Sequence, residues 1–281
     1  MCLHNKKKEN KMKTAISLNS NRQAIKLLVR AREDFQAMRK RMDNRIGRKA
    51  DGGTQDIEER EFRGEDIVNF CAIADAARQQ EKEIAKMLKK ALKEFPIYTE
   101  YLADIKGVGE VAAGWIIGEF DINRATTVSK LWQFSGLNPG MVKGQKRVDI
   151  ADGTFTYVRT DTMVRGDRLT AGFVAPFNKR LRTALVGVMA DGFIKQQNIY
   201  CLDYYYPYKI RLEHEAGVPA NADPAKAKPW SDVSKGHRDR AAKRYMVKMF
   251  LQDLYVAWRN IEGLPVREPY REEYLGRKHA V

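Results

Sequence analysis

Apolar residues between Leu28 and Met42 recur at steps of three and four: Leu28, Ala31, Phe35, Met38 and Met42. That spacing puts them on one stripe of a helix, the a/d seam of a two-helix packing. Ser20-Asn21 offers an N-cap, Gly47 an end, and Arg30, Arg32, Arg39, Lys40, Arg41 and Arg45 fill the other faces. A second helix is predicted over Gly64–Glu94. Ile67, Phe70, Ala74, Ala77, Ile84, Leu88 and Ala91 lie on the same grid, with Glu81 as its polar exception. Asp51-Gly52-Gly53 marks a loop between the two, and Pro96 forces Phe95 out of the α region. The pattern predicts an antiparallel helical hairpin with coiled-coil packing over residues 20–95.

From Ile97 the periodicity shortens. Residues 98–136 read as three helices around a glycine corner. Residues 137–170 carry Asn-Pro-Gly, Asp-Gly and Arg-Gly-Asp between Val, Phe, Thr and Tyr, which predicts a loop with a β-hairpin, Phe155–Arg159 being its best strand. Pro176–Ile199 returns to helix, and residues 216–236 form a Pro/Ala/Lys-rich surface loop. Residues 237–262 make an amphipathic helix with Ala242, Met246, Met249, Phe250, Leu254, Ala257, Trp258 and Ile261 on its buried side. The fold class is therefore mostly α: a helical hairpin, then a compact helical domain over residues 96–281 with a small β-hairpin insertion.

Charge changes the picture. The 281 residues hold 51 Lys and Arg against 36 Asp and Glu, a net +15. Residues 1–49 alone hold 15 basic and 4 acidic side chains. Such a balance favours a polyanionic partner, nucleic acid above all. No apolar run reaches the ~18 residues that span a membrane. Met1–Lys13 is basic without a following apolar stretch, so residues 1–19 are expected to be a disordered basic tail instead of a secretory signal. Met12 is an alternative start. Cys2, Cys71 and Cys201 are odd in number and far apart, which implies no disulfide framework and fits a reducing cytoplasm.

Leu102-Ala103-Asp104-Ile105-Lys106-Gly107-Val108-Gly109-Glu110-Val111-Ala112-Ala113 has the form of a helix-hairpin-helix. Gly107 and Gly109 permit a sharp turn whose N–H groups face outward at a helix start, an anion nest beside the charge of Lys106. The plain alternative is a helix–helix corner that touches no ligand. Lys143, Gln145, Lys146 and Arg147 surround Gly144 in a cationic loop suited to a phosphate backbone, or simply a solvated turn. Asn178, Lys179, Arg180 and Arg182 share a helix start, where Arg grips phosphate bidentately and Asn reaches a base edge or a 2′-OH. Arg238, Arg240, Lys243, Arg244 and Lys248 form a rail along the last helix, or its solvated face. Tyr204-Tyr205-Tyr206-Pro207-Tyr208 offers rings for stacking bases, though such clusters more often pack.

Enzymatic signals are sparse. Asp149, Asp152, Asp161 and Asp167 sit in Asp-Gly and Gly-Asp settings that are turn chemistry before they are metal ligands. His4, His214, His237 and His279 have no Cys or His at ligand spacing. No Walker loop, Ser-His-Asp arrangement or zinc ribbon is present, and no cofactor or metal is expected.

Three blocks in order carry a family resemblance: Ile105-Lys106-Gly107-Val108-Gly109, then Lys130-Leu131-Trp132-Gln133-Phe134-Ser135-Gly136-Leu137-Asn138-Pro139, then Lys179-Arg180-Leu181-Arg182-Thr183-Ala184-Leu185. Together with Ala242–Lys248 and Ala257-Trp258-Arg259, they resemble the C-terminal domain of IS110/IS116/IS902-group transposases. The preceding hairpin is similar to that family's coiled coil. The resemblance implies binding of a structured guide-type RNA and homodimerisation, as in the related Nop domain of box C/D ribonucleoproteins. Where the family keeps its nucleophilic serine, this chain has Val142-Lys143-Gly144, and Ser135 does not match. The four carboxylates of a RuvC-like domain have no counterpart in the sequence. The closest architecture is that of nuclease-less Tas proteins of tandem interspaced guide RNA systems. The expectation is a non-catalytic RNA-binding protein that presents its RNA to DNA. The alternative is a transposase or recombinase subunit working with a separately encoded RuvC-like half.

Overall fold

The computed structural model describes residues 2–47, 65–150, 153–219 and 227–268. The chain is mostly helical with one small two-stranded antiparallel sheet. The Asp51-Gly52-Gly53 loop, Asp152 and His279 lie outside the described residues.

Two compact units divide the chain. The first takes residues 1–99 and 113–119, the second residues 100–112 and 120–281. The expected boundary after residue 95 thus shifts by a few residues, and a piece of later chain joins the first unit.

In the first unit, α1 spans Cys2–Ile46 and α2 spans Glu65–Leu92. Helix α1 starts at Cys2, not at the Ser20-Asn21 cap, and so includes the stretch expected as a disordered tail. Residues 2–46 contain neither Gly nor Pro to break it. The two helices run in opposite directions: Asn21 reaches Glu94, Arg39 reaches Glu81, and Asp43 faces Arg78. On α2 the buried positions are Ala74, Ala77, Glu81, Ile84, Leu88 and Leu92, close to the predicted grid. On α1 they are Ile25, Val29, Asp43 and Ile46. The expected seam of Leu28, Ala31, Phe35, Met38 and Met42 is instead partly solvated, Met38 being 39% exposed.

That rotation has two causes. Helix α4 spans Glu110–Glu119, and its second half packs on the Val29 side of α1. A Cβ on Gly114 would lie 2.6 Å from Val29, so only glycine allows this approach. The Trp115 indole donates to Glu33 at 2.7 Å, and Lys26 bridges Glu119 at 2.8 Å. The second cause is a charged layer. Arg39 Nε donates to buried Glu81 at 2.5 Å and its Nη1 to Asp43 at 3.0 Å, which holds that guanidinium above its ordinary pKa despite the burial that opposes its charge. A buried ion pair adds little net stability but fixes register, because a shifted register leaves charges unpaired.

The second unit is built on α9, Lys235–Ile261. Its buried side carries Ala242, Met246, Met249, Phe250, Leu254 and Trp258 as predicted, and also Val247, Leu251, Tyr255 and Arg259. Around it lie α5 (Val128–Phe134), α6 (Lys179–Arg182), α7 (Ala190–Lys195) and α8 (Tyr206–His214); the short α3 (Pro96–Glu100) precedes them in the chain, and only its last residue falls in this unit. Wide π turns at Thr183–Met189 and Cys201–Tyr205 run into α7 and α8. Phe193, Tyr200 and Phe250 form the aromatic centre, with Phe250 edge-on to both others. The Tyr200 hydroxyl donates to Asp253 at 3.0 Å.

Burial pushes the Asp253 carboxyl above its ordinary range, and the Tyr200 hydrogen bond only partly opposes this. A carboxyl with a raised folded pKa contributes most when protonated, below its unfolded value near ~4, and that stability is lost as pH rises through the folded pKa. Asp253→Asn keeps an acceptor for Tyr200 and removes the charge. Its thermal midpoint should exceed that of the parent by roughly 2–4 °C at pH 7.5, with the gap closing toward pH 4. Calorimetry at both pH values checks this.

The sheet pairs β1, Met141–Asp149, with β2, Phe155–Arg165. The residues expected to form a cationic loop, Lys143 to Arg147, are therefore strand. The register shifts around Gly144, opposite residues 160–162. There the Phe173 ring fills the space a Cβ would need, and the Thr160 hydroxyl bonds the Gly144 carbonyl at 3.2 Å. From that anchor toward its tip the ribbon is exposed on both faces, including Val148, Phe155, Tyr157 and Val158, whereas at the other end Val164 is buried.

Candidate nucleic-acid interface

The Lys106–Gly109 turn begins after a single 3-10 turn at Leu102–Asp104 and leads into α4. Of its two glycines only Gly107 uses the left-handed region, at φ +91°. A Cβ there would fall 3.0–3.2 Å from Phe193 and the Gly192 backbone. Buried Asn198 donates to the Lys106 carbonyl at 2.9 Å and ties the turn to the start of α8's π turn. The Val108 N–H bonds the Ile105 carbonyl at 3.0 Å, so it does not face outward to an anion as the nest reading expected. The turn is thus firmly a packing corner, with the exposed Lys106 side chain on its outside. Gly107→Ala should cost about 1–3 kcal/mol from left-handed strain and crowding. Gly109→Ala should be nearly neutral, since a Cβ there meets nothing within 4 Å. Urea unfolding of the two variants side by side tests the difference.

Several expected contact residues are engaged inside the fold. Asn178 caps α6, its side chain accepting from the Leu181 N–H at 3.0 Å. Arg238 is buried, and its guanidinium donates to the carbonyls of Ser231 at 2.8 Å and Val233 at 2.6 Å. Lys243 bridges Asp191 at 2.8 Å and Asp239 at 3.1 Å. On β1, Lys143 pairs with Asp161 at 2.9 Å and Arg147 with Asp149 at 2.8 Å, while Lys146 lies over the Phe173 ring and Gln145 holds Val174 through its carbonyl. Lys179 and Arg180 are exposed at the start of α6. Among the described residues, Asp149, Asp161 and Asp167 each face their own cation, and no group of three metal-ligating side chains converges.

Three of the expected cations, Arg182, Arg244 and Lys248, line a groove of about 1090 Å³ in the second unit. It runs between the Gly136–Pro139 corner, the β2 exit, α8, the Trp230 turn and the first half of α9. Arg211, which follows the tyrosine run, joins them, and sequence reading missed three more cations: Arg165, Arg168 and Lys228. Together they make seven Lys and Arg side chains against three carboxylates, Asp167, Glu215 and Asp232. Asp167 is held by Arg165 in a two-pronged bridge at 2.6 and 2.8 Å, and its charge also reaches Arg182 and Arg244, where it partly opposes the effect of burial.

The groove is shaped by exact local packing. Gly136 has φ +68° and stands against Phe177 and the Arg182 stem, where any Cβ would clash at 2.7 Å. The Arg182 guanidinium lies over Phe177 and donates to the Asp167 carbonyl. Burial lowers the pKa of both Arg182 and Arg244, and in Arg244 repulsion from Arg182 adds to this. Among the described residues Arg244 has neither hydrogen bond nor ion pair. Arg240 lies near enough to repel it and, with Arg244, to help keep His237 neutral, although burial is the main cause there. Tyr208 stacks on Tyr245 at 4.3 Å, Arg211 lies over Tyr208, and Trp230 meets His237 edge-on. Of the five-residue tyrosine run, Tyr208 alone lines this groove, and Tyr205 is buried with its hydroxyl donating to Asp239.

No protein-family model, characterised protein or solved structure matches this chain. No helix among the described residues is long and apolar enough to cross a membrane.

Proposed function

We propose that this protein binds a structured small RNA of guide type through the second unit and does not cut it. The observation that carries the reading is the groove of Arg182 and Arg244: an excess of cations, one guanidinium with no hydrogen bond or ion pair among the described residues, and aromatic rings within the same walls. Charge excess supplies affinity for phosphates, and rings hold unpaired bases whatever their identity. On this reading α1 and α2 are a coiled-coil arm, residues 102–113 a helix-hairpin-helix, and the exposed β1–β2 ribbon, with Lys146 and Arg159, a second contact along the RNA. The resemblance to the C-terminal domain of IS110-group transposases, and through it to Nop and Tas proteins, supports the same function, with a homodimer as the working unit and DNA as the further partner.

Fluorescence anisotropy with a labelled RNA hairpin, a random single strand and duplex DNA tests it. The expected result is tightest binding to the hairpin, with affinity falling steeply in salt, by roughly 0.7–0.9 in log–log slope per phosphate contact. Micromolar or weaker binding in modest salt, no better than to duplex DNA, overturns the reading. Incubation with Mg²⁺ or Mn²⁺ should leave every substrate intact. Metal-dependent nicking that disappears in Asp149→Ala would instead favour a nuclease or a transposase subunit.

A further inference from the structure

We infer that the groove holds a nucleoside phosphomonoester at the end of a strand: its terminal phosphate between Arg182 and Arg244, its base against Trp230 and Tyr245. The inference rests on the RNA-binding reading and goes beyond it by naming what this one site takes.

The charge balance points to a phosphomonoester before a diester. Arg182 and Arg244 repel each other across the same wall, and Arg240 adds to that repulsion. The one carboxylate whose field reaches both, Asp167, is also bridged by Arg165 at 2.6 Å, so a single negative charge is shared among three guanidiniums. Like charges brought together in a half-buried place cost energy until an anion arrives. An internal phosphodiester brings one negative charge, a terminal phosphate about −1.5 to −2. The second matches two guanidiniums, and each can offer a fork of donors to separate oxygens. The Arg182 fork is oriented in advance by the Asp167 carbonyl and the Phe177 ring, so little side-chain entropy is lost on binding.

Size and lining agree. The space of about 1090 Å³ accommodates a nucleotide with room for its neighbour in the strand. Trp230 and Tyr245 are half-buried, so their rings already stand in a low-dielectric wall where a base can replace water. Arg168, exposed at the rim, is placed for the next phosphate along.

The test compares one RNA hairpin carrying a 5′-phosphate, a 3′-phosphate or hydroxyls at both ends, with adenosine monophosphate as the free-nucleotide arm. Binding by one phosphorylated end roughly 10-fold tighter than the hydroxyl form is expected, and in Arg244→Gln the ratio between the two forms should fall to about one, whatever the variant does to the affinity for the hydroxyl form. Arg244→Gln should unfold at nearly the same temperature, since Arg244 makes no hydrogen bond or ion pair among the described residues and the repulsion it loses from Arg182 is set against the attraction it loses to Asp167. This separates a lost ligand contact from a lost fold. Adenosine monophosphate competing as well as the phosphorylated hairpin would assign the site to free nucleotides in place of strand ends. Equal binding of all three hairpins, with Arg244→Gln weakening them alike, overturns the inference while leaving RNA binding standing. Failure of every hairpin to bind overturns the functional reading itself.

Discussion

Reversing three rim charges together, Arg168→Glu with Arg211→Glu and Lys228→Glu, is expected to weaken hairpin RNA binding by at least about 100-fold. Each of the three lines the groove and is exposed, so none holds up the fold. A charge-assisted contact to phosphate contributes about 1 kcal/mol or more. Three lost contacts amount to roughly 3 kcal/mol, and glutamate adds repulsion to the loss. The log–log salt slope should fall by about 2, because three fewer counterions are released. The comparison set is Arg124→Glu with Lys130→Glu and Lys195→Glu, an equal change of charge at exposed positions of the same unit outside the groove. If the two triple variants weaken binding equally, net charge and not the groove governs affinity. An unchanged affinity in the groove variant would remove it from the interface altogether.

The largest loss of stability is expected from Arg259→Met. Arg259 is 5% exposed, yet among the described residues no carboxylate is paired with it. Its guanidinium donates to the carbonyls of Ile122 and Ala125 at 3.0 Å each and to Pro265 at 2.5 Å. It also lies beside the Tyr255 ring, and the Tyr255 hydroxyl donates to the Thr126 carbonyl at 2.9 Å. The residue therefore pins the 120–126 loop and the exit from α9 to the core of the second unit. Methionine keeps most of the volume and leaves those carbonyls without donors. An unsatisfied buried polar group costs about 1–3 kcal/mol, so the variant should lose roughly 3–5 kcal/mol in urea unfolding. Arg259→Lys, which can serve one carbonyl, should recover part of it. A loss below about 1 kcal/mol for Arg259→Met would mean that water replaces the guanidinium without cost.

Arg259 also shows where sequence reading stops. In the string it is one more cation near the end of a basic helix, and nothing local sets it apart from Arg240. Arg238 is the same case: it was read as part of a rail for nucleic acid, and it serves carbonyls of the Trp230 turn instead. Asn178 looked like a base-reading side chain and is a helix cap. The signal for Asn178 was available, since Asn three residues before Leu181 at a helix start is a capping pattern. For the two arginines there was no signal, because a buried guanidinium is defined by carbonyls brought in from other parts of the chain.

The sequence by itself determined the helices and the strand region. Period 3.6 is written into α2 and α9, and breakers at Pro96 and the glycine corners delimit them. Ala74, Ala77, Ile84 and Leu88 are buried as their spacing requires, and Glu81 among them announced a polar layer. The strong basic balance likewise needs no structure. The tertiary structure alone decided which stripe of α1 faces inward. Helical periodicity fixes the spacing of a stripe but not its partner. Here the glycines of α4 and the Arg39–Glu81 pair turned α1 away from its most apolar line. It also decided which cations form a site. Arg165, Arg168, Arg182, Arg211, Lys228 and Arg244 come from stretches that span 80 residues of chain, and electrostatic repulsion acts through space, not along sequence. Only the folded chain holds them within one wall, where Arg182 comes close enough to repel Arg244.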